Sequence, residues 1–159
     1  MLSPDEFTVG TLADAAPLSL ILPRTPYEET VLIGRVEQGP AAVFLSGQFA
    51  FHFFESSGNT SWKGLIVPNV RIEVDEASLF EPSSGGAILG SVARMDTRLV
   101  VRAKRERSFD GGAAVTLHEG LTDAGDFRAG FSRWQIAIGN GQEKRVLWQT
   151  PHPAPSGSL

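Results

Sequence analysis

The sequence predicts an all-β protein, an antiparallel β-sandwich of jelly-roll type, with a closed β-barrel as the alternative. Three observations support this prediction. Short apolar or alternating segments recur along the 159 residues, Gly and Pro separate them, and signals for long helices are scarce. The order of the strands stays open, because alternation identifies the faces of a strand and not its partners.

The N-terminal segment SPDEF predicts at most one helical turn. Ser3 is a suitable N-cap, Pro4 suits the first helical position, and Glu6 can reach back to the cap. The β-branched Thr8 and the flexible Gly10 follow at once and favour an end to any helix.

Residues 30–36 (TVLIGRV) and 39–47 (GPAAVFLSG) are apolar and bounded by turn residues, which predicts two buried strands. The segment 65–76 (LIVPNVRIEVDE) alternates, with Arg71, Glu73 and Asp75 on one face. Pro68 removes one backbone donor and marks an edge, a bulge or a strand start.

Residues 49–54 (FAFHFF) contain four phenylalanines and are apolar on both faces of a strand. The odd-numbered phenylalanines would share one face, and Ala50, His52 and Phe54 the other. A strand that is apolar on both faces predicts a central strand whose second face is also covered. That cover is a segment of the same chain, a second subunit or a ligand.

Two hairpins are predicted in the second half of the chain. Residues 99–105 and 113–119 alternate around Asp110 and Gly111, a pair that suits a tight turn. Residues 134–138 precede Asn140 and Gly141, a strong hairpin signal. Val146 and Trp148 on the returning strand are expected to face the same core as Trp134 and Ile136.

No composition break divides the chain, so residues 1–150 are predicted to form a single β-sandwich domain. Residues 151–159 (PHPAPSGSL) are predicted to be a flexible tail, because they offer little apolar surface to bury. The first residues contain no pattern of a signal peptide and no apolar segment long enough for a membrane helix. We therefore expect a cytoplasmic protein without membrane contact.

The composition excludes several classes of site. The absence of Cys rules out disulfides, thiolate metal sites and a Cys nucleophile. A net charge of −4 gives no electrostatic reason to bind nucleic acid. The three histidines are far apart and show no metal-ligand spacing, so neither a metal nor another cofactor is expected.

The candidates for acid–base catalysis are His52, His118 and Glu73, all of them weak. Glu73 shares its strand face with Asp75 and Arg71, which favours a solvent-facing ladder of opposite charges. The candidates for a ligand site or subunit interface are His52, Phe54 and Trp62. For His52 the main alternative is a buried neutral imidazole satisfied by a backbone or side-chain partner, and for Trp62 it is a lid over the core.

The sequence therefore favours a non-catalytic module that binds a partner or associates with itself as a homodimer or larger assembly. Such a module could also bind a protein or a small-molecule ligand. The alternatives are a small enzyme with a His–carboxylate pair and a carbohydrate-binding module that uses Trp62.

Overall fold

The computed structural model describes residues 2–25, 27–81, 88–95, 98–105, 113–117 and 129–151. Some predicted features lie outside these residues: the turn at Asp110 and Gly111, the side chains of His118 and His152, and the tail beyond Pro151.

The described residues are almost entirely extended, and their helical elements are three short 3-10 turns, Leu12–Asp14, Glu76–Ser78 and Gly141–Glu143. The strands are β1 (Thr8–Thr11), β2 (Leu20–Leu22), β3 (Val31–Val36), β4 (Gly39–Phe44), β5 (His52–Glu55), β6 (Lys63–Val67), β7 (Arg71–Val74), β8 (Leu79–Phe80), β9 (Val92–Met95), β10 (Arg98–Arg105), β11 (Ala113–Thr116), β12 (Gly130–Phe131), β13 (Trp134–Ile138) and β14 (Arg145–Gln149). The all-β prediction is confirmed.

Five strands close into a barrel-like ring. Strand β3 pairs with β4, β4 with β5, β5 with β10, β10 with β11, and β11 returns to β3. Among the pairs of described strands, β5–β10 alone is parallel. The ring corresponds to the closed barrel that the sequence left as the alternative to a sandwich, and it does not confirm a jelly-roll strand order.

The remaining strands extend the ring or cover it. Strands β2, β6 and β1 continue the sheet from β3, and β9, β12 and β8 continue it from β10. Strands β14, β13 and β7 form a separate three-stranded antiparallel sheet. Trp134 and Ile136 of this sheet pack into the same apolar cluster as Leu32, Val43 and Phe53 of the ring. One face of the small sheet is therefore buried against the core, and its other face is polar.

Local predictions hold where the signals are strong. Strands β3 and β4 occupy the predicted segments, and β10 pairs with β11 as expected. At the N-terminus the predicted turn is present, because the amide of Glu6 donates to the carbonyl of Ser3. The carboxylate of Glu6 also accepts from the amide of Ser3. A longer helix does not follow.

The segment 65–76 forms two strands instead of one. Strand β6 ends at Val67 and belongs to the large sheet, whereas β7 begins at Arg71 and belongs to the small one. Pro68 and Asn69, whose φ is 53°, redirect the chain between them. Pro68 therefore lies at a break between two strands, which differs from the edge, bulge or strand start considered from the sequence.

Only the second part of the phenylalanine-rich segment forms a strand. Strand β5 begins at His52, and residues 48–51 form a turn in which Phe51 has a φ of 62°. Phe49 is 47% exposed, while Phe53 is 1% exposed in the core of the ring. The prediction of one continuous strand over residues 49–54 is wrong, because hydrogen bonds from Ala50 to Gly47 and from His52 to Phe49 close the turn. The central position of the strand is confirmed, since β5 lies between β4 and β10.

The β13–β14 hairpin is confirmed with one correction. Trp148 lies opposite Ile136 and packs on Trp134, with ring centroids 4.7 Å apart. Val146 lies opposite Ala137 and is 45% exposed, so its predicted burial is wrong. The reason is an irregularity at Leu147, which inserts one residue into β14 and reverses the faces beyond it.

Candidate functional site

His52 lies at the start of β5 and is satisfied by the backbone of the preceding turn. Its Nδ1 atom is 3.2 Å from the carbonyl oxygen of Phe49 and 3.4 Å from that of Ala50. Because a carbonyl oxygen only accepts, Nδ1 carries the proton in these contacts. The ring of Phe49 meets the imidazole edge-on at a centroid distance of 5.8 Å. The imidazole thus has backbone partners, as the main alternative for His52 expected, but it is half-buried and not buried.

Trp62 and Phe54 belong to an aromatic cluster on the outer face of the ring. The centroid of Phe44 lies 5.3 Å from that of Phe54 and 5.6 Å from that of Trp62. All three pack against a buried cluster that includes Ile33 and Ala42. Trp62 is therefore placed as a lid, and the second face of the phenylalanine-rich strand is covered at Phe54 by the same chain.

Glu73 lies in the small sheet, apart from His52 in the ring. Its polar partners among the described residues are Lys144 at 2.7 Å, Gln135 at 2.9 Å and Arg71 at 3.0 Å. Those of His52 are backbone carbonyls. The structure thus does not join these two catalytic candidates, while His118 lies outside the described residues.

The outer face of the small sheet carries a polar groove of about 560 Å³. Its lining is contributed by all three strands of the sheet and the residues that flank them: Glu73, Val74, Asp75, Arg133, Trp134, Gln135, Lys144, Gln149 and Thr150. Alternation along the strands explains the polar character, because the apolar side chains of the same strands point into the core. A groove of this size is in the range of small-molecule sites.

A row of three polar side chains crosses the centre of the polar groove. Gln135 of β13 lies directly opposite Glu73 of β7 on one side and Gln149 of β14 on the other. Side chains directly opposite in an antiparallel sheet are about 5 Å apart at Cβ. The row therefore presents a carboxylate and two amides at regular spacing.

The ion pairs of the polar groove also fix its walls. Arg71 donates to Glu73, to the side chain of Asn140 at 2.9 Å and to the carbonyl of Gly139 at 2.8 Å. The hairpin loop is thereby tied to β7. At the other end, Arg133 donates from Nε and Nη2 to Asp75, both at 2.8 Å. The groove is held in shape before any ligand enters.

The electrostatics of the polar groove centre on Glu73. Hydrogen bonds from Lys144, Gln135 and Arg71 lower the pKa of this carboxyl from its usual 4.5 to about 2. The carboxylate is consequently charged at every physiological pH and does not exchange a proton near neutrality. This environment suits a fixed structural charge better than a general acid or base.

Of the residues that line the polar groove, only Glu73 was among the sequence candidates, so Gln135, Lys144 and Gln149 were missed. Alternation places Gln135 on the strand face away from the buried Trp134. This pattern indicates a solvent-facing position and does not indicate a site. Their convergence with Glu73 depends on the pairing of β7 with β13, across 62 positions of sequence. No local pattern encodes that pairing.

At pH 7 we expect Glu73→Gln to lower the free energy of unfolding by about 1–2 kcal/mol, allowing for solvent screening of a partly exposed group. Because the pKa of Glu73 is lower in the folded than in the unfolded state, its stabilising effect is complete above about pH 4.5. The effect is lost as the pH falls toward 2. Urea unfolding of the wild-type protein and the variant at several pH values tests whether their free energies of unfolding become equal as the pH falls toward 2.

The matched control is Glu37→Gln, which neutralises an exposed carboxylate in the turn between β3 and β4. It should change the free energy of unfolding by no more than about 0.5 kcal/mol. Equal losses in the two variants, or a difference that persists unchanged down to pH 2, would contradict the role assigned to Glu73.

Two further observations concern the described part of the chain alone. No group of three or more His, Asp or Glu side chains is placed there to hold a metal ion. No helix in that part is both long and apolar enough to cross a membrane.

Comparison with known proteins gives one family and one close relative. The model of a family described as "Uncharacterised protein y4lG" matches residues 9–157. The chain is 64% identical over 149 residues to a protein of Sinorhizobium fredii (strain NBRC 101917 / NGR234) named "Uncharacterized protein y4lG". That alignment covers 94% of this chain and 92% of the relative. No solved structure gives a significant match.

Proposed function

This chain belongs to the family of uncharacterised protein y4lG, and from the geometry of the polar groove we propose that it is a non-catalytic binding module for a small polar ligand. The observation that carries this proposal is the row of Glu73, Gln135 and Gln149 across a pre-formed groove. Concavity and a few converging polar groups that fix the orientation of the ligand are features of small-molecule sites.

Binding is favoured over acid–base catalysis by the state of the charged groups. Both carboxylates in the polar groove, Glu73 and Asp75, are bound by cationic side chains. A general base needs a pKa near the working pH, and the pKa of Glu73 is about 2. An enzyme built on His52 would need a carboxylate within hydrogen-bond reach, whereas its described polar partners are carbonyl groups.

The test is a ligand-observed NMR screen of sugars, amino acids, nucleosides and carboxylic acids, each at about 1 mM. We expect at least one class to bind the wild-type protein and to lose binding in Gln149→Arg, whose long side chain would fill the polar groove. Gln149 is exposed, so this substitution should leave the fold intact. Val146→Arg, at an exposed site on the same strand and outside the lining, should bind normally.

Binding that survives Gln149→Arg would place the site elsewhere and contradict the proposal. The aromatic cluster of Phe44, Phe54 and Trp62 would then be the next place to examine. A protein that binds none of these classes would also contradict it.

Self-association is the second candidate function, and strand β1 is the observation that favours it. This strand is at an edge of the large sheet and pairs only with β6 among the described strands. It carries no charged residue, and Val9 is 72% exposed. An exposed edge without charge can pair with another strand. A second copy is the favoured partner, because two identical uncharged strands meet without repulsion and form a symmetric antiparallel pair.

We expect light scattering after size exclusion to give twice the chain mass of 17.1 kDa for the wild-type protein. Val9→Lys should give the single-chain mass, because a charge on each copy opposes the pairing. Val146→Lys, at an exposed site on another edge strand, should remain a dimer. A wild-type protein of single-chain mass at two concentrations tenfold apart would contradict self-association.

A further inference from the structure

The charged side chains of the polar groove are paired with one another, and Glu73 has a second cationic partner in Arg71 at 3.0 Å. Glu73 is paired with Lys144, and Asp75 is paired with Arg133, at 2.7 and 2.8 Å. An ionic ligand would have to compete with one of these pairs for its counter-charge. Among the described residues, the charged groups of the groove are therefore already engaged with one another and are not free to select an anion or a cation.

The polar groups that remain available are neutral and of mixed type. Gln135 donates its Nε2 to Glu73, which leaves its amide oxygen as an acceptor. The amide of Gln149 is exposed and has no hydrogen-bond partner among the described residues, so it offers both donors and an acceptor. Thr150 accepts a hydrogen bond from the amide of Trp134 at 3.2 Å, and its hydroxyl hydrogen can still donate.

A hydroxyl group is the natural complement of such a surface, because one hydroxyl donates and accepts at the same time. Carboxylates and ammonium groups use only one of these roles. Neighbouring positions in the row are about 5 Å apart, so one molecule with several hydroxyl groups can contact more than one of them.

From these observations we infer that the ligand class of the polar groove is an uncharged carbohydrate or a similar polyhydroxylated molecule. The inference rests on the proposed binding function and adds the chemistry of the ligand. The site differs from the carbohydrate site considered from the sequence, which used Trp62. Trp62 packs on Phe44 and Phe54 on the ring, whereas the groove lies on the small sheet.

The expected affinity is low. Trp134 lines the polar groove but is 2% exposed, so it offers no ring face on which a sugar could stack. Binding then depends on hydrogen bonds alone, most of which replace bonds to water. We expect a Kd of about 1 mM for a trisaccharide.

The test is an amide NMR titration of the full chain with maltotriose, cellotriose and chitotriose, each up to about 10 mM. At least one of these sugars should shift the side-chain amide signals of Gln135 and Gln149. The affinity for that sugar should fall about tenfold in Gln149→Ala and remain unchanged in Val146→Ala. Trigalacturonate and glutamate, which carry charge, serve as comparison probes and should not shift these signals.

Several outcomes would overturn the inference. Shifts in the polar groove produced by trigalacturonate or glutamate alone would make the ligand ionic, and the proposed binding function would stand. If the sugars shifted only the signals of Trp62, the carbohydrate site would lie on the ring and not in the polar groove. No shift with any of the three sugars would exclude them as a class, while the broader ligand screen decides separately whether the groove binds at all.

Discussion

Phe53→Ala should lower the free energy of unfolding by about 3–5 kcal/mol. Phe53 is 1% exposed and lies in the apolar cluster inside the ring, with the guanidinium of Arg105 5.1 Å from its ring centroid. Truncation would remove this packing and leave a cavity that a closed ring of strands can only partly fill. Urea unfolding followed by tryptophan fluorescence measures the loss.

The matched control is Phe49→Ala, four residues earlier in the same phenylalanine-rich segment. Phe49 is 47% exposed in the turn before β5, so we expect a loss of about 1 kcal/mol or less. A continuous strand over residues 49–54 would place both side chains on one buried face and predict similar losses. Similar measured losses would therefore contradict the turn described here.

Gly34→Ala should cost about 3 kcal/mol, although it adds only a methyl group. A Cβ atom at position 34 would lie 2.6 Å from the carbonyl oxygen of Thr116 and 2.6 Å from a methyl of Val115. Both atoms belong to β11, which closes the ring onto β3 at the neighbouring pair of Thr116 and Arg35. The added methyl would push β11 away and weaken that closure.

Gly10→Ala is the control for Gly34→Ala, because Gly10 is also a strand glycine. Its nearest contacts would be the side-chain ends of Asp14 and Ile66, at 2.9 Å. Side-chain ends can move where a backbone carbonyl cannot, so we expect a loss of about 1 kcal/mol. Hydrogen exchange should also be faster in β11 of Gly34→Ala and unchanged there in Gly10→Ala. Unchanged exchange in both variants would mean that Gly34 does not govern the closure.

Residue patterns predicted part of the candidate site and missed the rest. Alternation placed Glu73 and Asp75 on one polar face of a strand, and in the structure Glu73 on β7 and Asp75 directly after it both line the polar groove. The opposite-charge ladder expected there is present as the pairs with Arg71, Lys144 and Arg133. No sequence pattern predicted a site at the two glutamines that complete the central row, because an exposed glutamine on a strand is ordinary.

His52 illustrates the opposite case. Its position inside an apolar segment made it a candidate for a ligand site or an interface. Its Nδ1 atom instead contacts carbonyl groups two and three residues earlier, in a turn that the sequence reads as strand. The turn depends on a positive φ at Phe51, which sequence patterns do not anticipate at a phenylalanine.

The sequence by itself determined the all-β class, the positions of β3, β4 and β13, and the pairing within the β13–β14 hairpin. These features are encoded locally, since alternation, β-branched residues and turn residues act over a few positions. The tertiary structure decided the parallel pair of β5 with β10, the pairing of β7 with β13 and the exposure of Val146. Every strand edge offers the same backbone donors and acceptors, so its partner is selected by how the whole core packs and not by its own residues.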